Sequence, residues 1–176
     1  IATVTSILTT RIRAREYAVR HREKRAVALY NLANELSSSR SVEAALITTV
    51  RNIKTVFNAE CVLLLSDSKG ELFNTCSNDN ILTLNPKEFS VATWTFTNGK
   101  KAGRFTNTLP SAEGQYYPLL SPRKIFGVAA IMFNDRNELK IDEETLLGSF
   151  ISQAGVAIER ELLNESTKRA LLIEES

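Results

Sequence analysis

The sequence predicts an α+β fold in which helices pack on an antiparallel sheet and long helices begin and end the chain. Three observations support this fold class. Apolar residues recur three to four positions apart near both ends, as in amphipathic helices. Two pairs of short apolar runs are each joined by a tight turn, as in β-hairpins. A segment with helix-capping residues lies between the two pairs, and helices then cover the sheet.

The composition allows one globular domain with extensions. The chain has 176 residues, of which 43% are apolar and 24% charged, so a core is expected and general disorder is not. Two cysteines, Cys61 and Cys76, and one histidine, His21, are too few for a Cys/His zinc site. Lone cysteines suit a reducing compartment. We therefore expect neither a metal nor a cofactor in this chain.

The N-terminal region combines a weakly apolar end with a basic cluster. Residues 1–10 are too few to span a bilayer, which takes about 20 residues. Residues 11–25 carry a net charge of +5. The basic residues are Arg11, Arg13, Arg15, Arg20, Arg22, Lys24 and Arg25. This order is typical of the cytoplasmic exit of a membrane helix, and no motif favours nucleic acid instead. We expect 1–25 to be a juxtamembrane arm, cut from a longer protein, that contacts the membrane surface.

Two helices follow from the spacing of apolar residues. The first runs from Arg11 to Leu36, where no residue breaks a helix. Its predicted apolar stripe is Ala26, Leu29, Ala33 and Leu36. Serines then interrupt the pattern, and Ser41 can cap a second helix. The second stripe is Leu46, Val50, Ile53 and Phe57. Stripes that continue beyond one small body predict that the end helices pair with a second copy.

Two hairpins account for the predicted strands. Residues 60–75, "ECVLLLSDSKGELFNT", give two strands around a turn at Asp67–Gly70, and 74–85 form a polar loop. Residues 115–133 give "QYYPLL", the turn "SPRK" and "IFGVAAIMF". The last strand is apolar enough to be central in the sheet.

The segment between the hairpins carries conflicting signals. In residues 91–97, Val91 and three threonines alternate with Ala92, Trp94 and Phe96, which favours a strand. Asn85, however, is a good N-cap, Pro86 fits the first helical position, and Glu88 completes a capping box. Gly99 can end a helix in a left-handed conformation. The capping residues and the proline at the start, together with the glycine at the end, predict a helix rather than a strand.

The predicted helix covers 86–98, and Phe89, Ala92, Thr93 and Phe96 share its predicted inner face. Residues 103–114 form a loop with a short edge strand before Pro110.

Asp142 caps the last helix, with Glu143 and Glu144 in its first turn as the helix dipole prefers. The stripe of that helix is Leu147, Phe150, Ile151, Ala154 and Ile158, and nothing breaks the helix before Ser176.

This order of elements suggests a GAF-like or PAS-like arrangement, and several stretches support it. The segments "REKRAVALYNLANEL", "VFNAECVLLLSDSKGEL", "VATWTFTNGKKAGRFTNTLP" and "YYPL" resemble the GAF domain of KdpD-type potassium sensor histidine kinases. The resemblance covers about residues 20–165, and the Trp-x-Phe…Gly…Thr-Leu-Pro run is its most specific part. Phe105 and Asn107 depart from the Gly and Asp usual in the family loop, whereas Thr106 and 108–110 match. Any cation contact made by that Asp would be lost here.

The resemblance implies the organisation and role of a longer protein. Residues 1–25 would follow a membrane region, 26–160 would be the sensor domain, and 161–176 would lead to a histidine kinase core. The parent protein would use ATP to phosphorylate itself on a downstream His and would pass the phosphoryl group to a response regulator. The domain would lie at the cytoplasmic face of the inner membrane and relay signals in a potassium or osmotic response.

Within this chain we expect no catalytic residues. His21 lies in the basic arm, and no phosphate-binding glycine loop or Ser/His/Asp set is present. A candidate ligand pocket between helix and sheet comprises Trp94, Gly103, Thr106, Thr108 and Tyr116. The simpler alternative is that Trp94 only packs against the loop at 103–110.

Two other classes of function remain open. One is a GAF module of an unrelated regulator that binds a small, nucleotide-type molecule. Asp142 and Glu143 resemble part of a cyclic-nucleotide signature, but they are better explained as helix-start residues. The other is a free-standing enzyme on the same fold, such as a methionine sulfoxide reductase. Such chemistry needs several pocket cysteines, and Cys61 with Cys76 is a poor set.

Overall fold

The computed structural model describes residues 2–75, 84–122, 124–134 and 138–174. The helices are α1 (Ala2–Ser37), α2 (Val42–Phe57), α3 (Pro86–Asn98) and α4 (Ile141–Glu174). The strands are β1 (Ala59–Ser66), β2 (Leu72–Asn74), β3 (Ala102–Gly103), β4 (Gln115–Leu120) and β5 (Ile125–Phe133). The predicted α+β class with long terminal helices is confirmed. Most of the predicted loop at 74–85, including Cys76, lies outside the described residues.

The five strands form one antiparallel sheet in the order β2-β1-β5-β4-β3. Both predicted hairpins are present, and β5 lies in the centre as its apolar sequence indicated. In the β1–β2 turn, Asp67 Oδ1 accepts from the backbone N–H groups of Lys69 and Glu71, each at 2.8 Å. The edge strand β3 is only two residues long and pairs Ala102 with Tyr116.

Both faces of the sheet are covered, which produces two apolar cores. Leu63 and Ile131 face α1, α2 and α4 in the larger core. Val62 and Val128 face α3 in the smaller one. Because successive side chains of a strand point to opposite faces, a strand covered on both sides must be apolar throughout.

The buried face of α1 differs from the predicted stripe. Leu32 and Leu36 are fully buried, and Leu29 is partly buried, but Ala26 and Ala33 are exposed. The predicted stripe was therefore partly wrong. A helix surface offers several overlapping apolar rows, and contact with α2 and α4 selects the row that includes Leu32.

Helices α1 and α4 lie side by side and run in the same direction. Arg25 of α1 pairs with Asp142 at the start of α4, with 3.0 Å between Nη2 and Oδ2. Leu36, near the end of α1, accepts a hydrogen bond from Arg160, far along α4. The described part of α1 before Arg25 is exposed, and so is α4 after Glu165. We call the sheet and the helical segments packed on it the body. The exposed first part of α1 and the exposed last part of α4 therefore extend from opposite ends of this body.

The start of α4 also corrects a prediction. The helix begins at Ile141, and Lys140 occupies the capping position, where its backbone N–H donates to Glu143 Oε2 at 2.9 Å. Asp142 is thus not the cap and pairs with Arg25 instead. The predicted stripe of α4 is confirmed, since Leu147, Phe150 and the other members are buried. Ser41 caps α2 as predicted, accepting from the Ala44 N–H at 3.1 Å.

Within the described ranges, none of the helices combines the length and apolar character needed to cross a bilayer.

Candidate functional site

The helix α3 covers the smaller core, and its local signals act largely as predicted. Asn85 Oδ1 accepts from the Glu88 N–H at 2.9 Å, and Gly99, with φ 64°, donates its N–H to Thr95 O at 2.9 Å. The hydroxyls of Thr93 and Thr97 each donate to the backbone carbonyl four residues earlier at 3.0 Å. These bonds accommodate threonine in a helix in spite of its preference for strands.

The apolar face predicted for α3 was wrong in part. Phe89 is 38% exposed and Thr93 is exposed, whereas Glu88, Val91 and Thr95 face the sheet together with Ala92. Packing on the sheet therefore selects the row of Val91, Ala92 and Thr95 instead of the predicted one.

Glu88 does not complete a capping box, which corrects the predicted role of its side chain. The carboxylate is 2% exposed and points toward the end of the loop that follows β3. Oε1 accepts from the Glu113 N–H at 3.0 Å, and Oε2 accepts from the Gly114 N–H at 3.3 Å and from the Tyr116 hydroxyl. Buried backbone donors need an acceptor, and Glu88 supplies one from another element.

The two tyrosines of β4 face opposite cores. Burial, and then the hydrogen bond to Glu88, raises the pKa of Tyr116 well above its ordinary value. Tyr117 donates to Gln115 Oε1 at 2.8 Å, and burial followed by the negative charge of Glu144 raises the pKa of Tyr117. Both hydroxyls are therefore held in their neutral, hydrogen-donating form.

The loop after β3 is folded on itself by backbone contacts. Gly103 has φ 104°, and a Cβ there would lie 2.2 Å from Gly114 O, so only glycine fits. Thr106 Oγ1 lies 2.7 Å from the carbonyl oxygens of Gly103 and Thr108. Phe105 adopts a left-handed φ of 58°, and the Arg104 guanidinium lies 4.7 Å from its ring centroid. A glycine, usual at this place in the family pattern, would adopt that φ without strain.

The five predicted pocket residues divide into two places. Gly103, Thr106 and Thr108 are joined by hydrogen bonds, and the two threonines line a cavity of about 450 Å³. Lys101 and Glu144, which form an ion pair, line the same cavity. Tyr116 is fully buried under α3, and Trp94 packs half-buried on the smaller core.

A second cavity, of about 510 Å³, opens at the start of α3. Asn85, Glu88, Arg104 and Glu113 line it together with Met132. Glu88 was not among the residues predicted to form a site. The helical spacing does indicate that its side chain faces inward, because Glu88 lies three positions before Val91 and four before Ala92.

The described residues contain no group of three His, Cys, Asp or Glu side chains that could hold a metal ion. Cys61 is buried in β1. The basic arm is helical and exposed up to Lys24, and Arg25 is the member that pairs with the body, through Asp142.

Comparisons with known proteins agree with this architecture. No family model matches the chain. The sensor protein KdpD of Escherichia coli K12 is 31% identical over 169 residues, which cover 96% of this chain and 19% of that protein. The chain thus spans about a fifth of the length of this relative.

Two solved structures are similar to the whole body. The GAF domain of the Escherichia coli potassium sensor histidine kinase KdpD has a TM-score of 0.69 at 28% identity, over 81% of this chain and 98% of that one. The GAF domain of an Acinetobacter phosphoenolpyruvate-protein phosphotransferase has a TM-score of 0.63 at 16% identity, over 81% and 98%. The second similarity shows the fold alone. The chain is therefore a GAF domain, homologous to the GAF domain of the KdpD sensor kinases.

Proposed function

We propose that this chain is the signal-relay domain of a membrane-bound sensor histidine kinase in a two-component system that responds to potassium or osmotic stress. One observation carries the proposal: α1 and α4 pack in parallel and extend from opposite ends of the body. A displacement of α1 at one end can therefore reach α4 at the other end through their shared contacts.

The exposed parts of α1 and α4 suit the two proposed roles, receiving a signal at the membrane and passing it to the kinase core. Residues 2–24 of α1 form about 35 Å of helix outside the body, at 1.5 Å per residue. Their basic residues would contact anionic lipid at the cytoplasmic face of the membrane, each contributing about 1 kcal/mol near the surface. The end of α4 would continue toward a kinase core.

Catalysis belongs to the proposed longer protein rather than to this domain. ATP would bind the kinase core, which would phosphorylate a His beyond this chain, and a response regulator would receive the phosphoryl group. This chain would contribute no catalytic residue and would set the geometry of the helix that enters the core.

Pairing with a second copy would complete the relay. An exposed apolar row runs along α1, within an arc of about 80° at about 100° per residue. Its members, Val4, Leu8, Ile12, Val19 and Tyr30, are each more than half exposed. On α4, Val156 is 60% exposed and lines a groove of about 260 Å³ against Ala33 of α1. A parallel partner would cover both surfaces.

Light scattering after size exclusion tests the pairing. We expect a dimer of this chain and a shift toward monomer in Tyr30→Glu. Tyr17→Glu is the matched control, because Tyr17 is exposed on the same helix but points away from the row. A wild-type monomer at high concentration, or equal effects of the two substitutions, would argue against pairing through α1.

Insertions that rotate the end of α4 relative to the body test the relay itself. The measurement uses the full-length kinase in vesicles. Two alanines inserted after Ser166 rotate the following residues by about 200°, whereas seven rotate them by about 700°, close to two full turns. We expect the potassium-dependent change in autophosphorylation to be lost with two alanines and kept with seven. Equal responses in the two variants would contradict a relay through α4.

A second candidate function is ion or ligand binding at the cavity that Thr106 and Thr108 line. Thermal unfolding in KCl and in NaCl at equal ionic strength tests it. Specific binding at about 100 times the Kd adds about 2.7 kcal/mol, which raises Tm by several degrees. A rise in KCl alone, absent from Thr106→Val, would support an ion site. Identical melting curves would support the relay alone, and a rise with nucleotides would favour the small-molecule alternative.

A further inference from the structure

The last anchored turns of α4 hold the corner between α1 and α2. The corner comprises residues 37–41, where α1 ends and α2 begins. Beyond Glu165 the described residues of α4 are all exposed, so the corner is the place where α4 leaves the body. The contacts there involve charged side chains of α4 and the backbone ends of the other two helices.

Arg160 binds the C-terminal end of α1. Its Nη2 donates to the Leu36 carbonyl at 3.0 Å, and its Nε donates to Glu161 Oε1 at 2.8 Å. The Glu161 side chain is 7% exposed, so it holds the guanidinium in a largely fixed position. The last carbonyls of a helix have no partner within the helix and carry partial negative charge, which a cation stabilises.

Glu165 binds the N-terminal end of α2. Its Oε1 accepts from the Val42 N–H at 3.2 Å, and Val42 is the first residue of that helix. The first N–H groups of a helix also lack internal partners and carry partial positive charge, which a carboxylate stabilises. The C-terminal end of α1 therefore contacts a positive side chain, and the N-terminal end of α2 contacts a negative one. Both side chains come from α4, where they lie five positions apart.

We infer that Arg160 and Glu165 are positioning residues that fix the direction in which α4 leaves the body by holding the α1–α2 corner. A movement of α1 shifts both helix ends at this corner, so it acts on α4 directly at the point where α4 becomes free. This inference rests on the proposed relay for its biological meaning, but the contact can be tested without kinase activity.

Hydrogen exchange of this chain, followed residue by residue, tests the corner contact. We expect Glu165→Ala to accelerate exchange about fivefold both at the corner and first turn of α2 (37–45) and in α4 (162–170). The strand amides of 126–132 should not change. Glu165→Ala also removes the exposed pair of Glu165 with Arg169, 3.9 Å apart within α4. Arg169→Ala removes that pair alone, so exchange that is faster in Glu165→Ala than in Arg169→Ala reflects the lost contact with α2 and not a weaker helix. Glu165→Gln, which keeps an acceptor oxygen, should restore most of the protection.

Glu43→Ala is the matched control. Glu43 is an exposed carboxylate in the first turn of the same helix α2, so its loss removes a similar charge from that helix end. We expect Glu43→Ala to accelerate exchange in α2 alone. The inference is overturned if Glu165→Ala affects only one of the two segments or resembles Glu43→Ala. If both segments respond but the alanine insertions show no phase dependence, the corner contact stands and the proposed relay fails.

Discussion

Tyr116 donates its hydroxyl hydrogen to the carboxylate of Glu88, and this bond joins β4 to α3 across the smaller core. The same carboxylate holds two backbone N–H groups at the end of the loop after β3. One buried side chain therefore connects the helix, the loop and the sheet on the face opposite to α1 and α4.

We expect Glu88→Ala to lower the free energy of unfolding by at least about 3 kcal/mol. The reason is that two backbone N–H groups and one hydroxyl lose their acceptor, at about 1–3 kcal/mol each. Tyr116→Phe removes one of these bonds and should cost about 1.5–3 kcal/mol. Urea denaturation followed by circular dichroism measures both. Glu113→Ala, an exposed neighbour, should change the value by less than about 0.5 kcal/mol. A Glu88→Ala variant as stable as Glu113→Ala would show that water replaces the carboxylate.

We expect stability to fall at alkaline pH because of Tyr116 and Tyr117. Both have a raised pKa in the folded state, so the unfolded chain releases their protons more readily. Their contribution to stability is complete below about pH 10, the ordinary tyrosine pKa, and is lost as pH rises above it. Tyrosinate absorbance should therefore include a step that coincides with loss of circular dichroism. A Tyr116→Phe/Tyr117→Phe variant that retains this step would contradict the assignment.

We expect Thr95→Val to leave stability unchanged or to increase it by about 1 kcal/mol. The Thr95 hydroxyl is fully buried on the inner face of α3, and it has no hydrogen-bond partner within the part of the chain that the structure describes. Valine has nearly the same shape and removes the cost of an unsatisfied polar group. Thermal unfolding measures the change, and exposed Thr97→Val serves as the control. A loss above about 1 kcal/mol would show that the hydroxyl is bonded in solution.

We expect Glu35→Gln to weaken the acid dependence of stability slightly. The hydrogen bond from Asn52, and then the bond from Arg51, lower the pKa of Glu35. A lowered folded pKa contributes stability above the unfolded value, and this contribution is lost as pH falls below about 4. The Glu35 side chain is 44% exposed, so the effect should be a few tenths of a kcal/mol. Urea denaturation at pH 7 and pH 3 should show a smaller difference for Glu35→Gln than for wild type. An equal difference would contradict the prediction.

The sequence by itself determined the features that depend on neighbouring residues. Asn85, Pro86 and Gly99 define the limits of α3, because capping involves backbone groups within four residues. Asp67 and Gly70 define the first hairpin turn for the same reason. The apolar run of β5 also predicted its central position, since only a strand covered on both faces needs so many apolar residues.

The tertiary structure alone decided which of several local options is used. Glu88 could accept from its own helix start or from a distant loop, and the buried N–H groups of Glu113 and Gly114 selected the loop. Leu32 rather than Ala33 faces the core because α2 and α4 cover that row of α1. Asp142 pairs with Arg25, more than a hundred positions away, because parallel packing brings the two helices together. Such choices depend on residues that are distant in the chain, and no pattern within one element contains them.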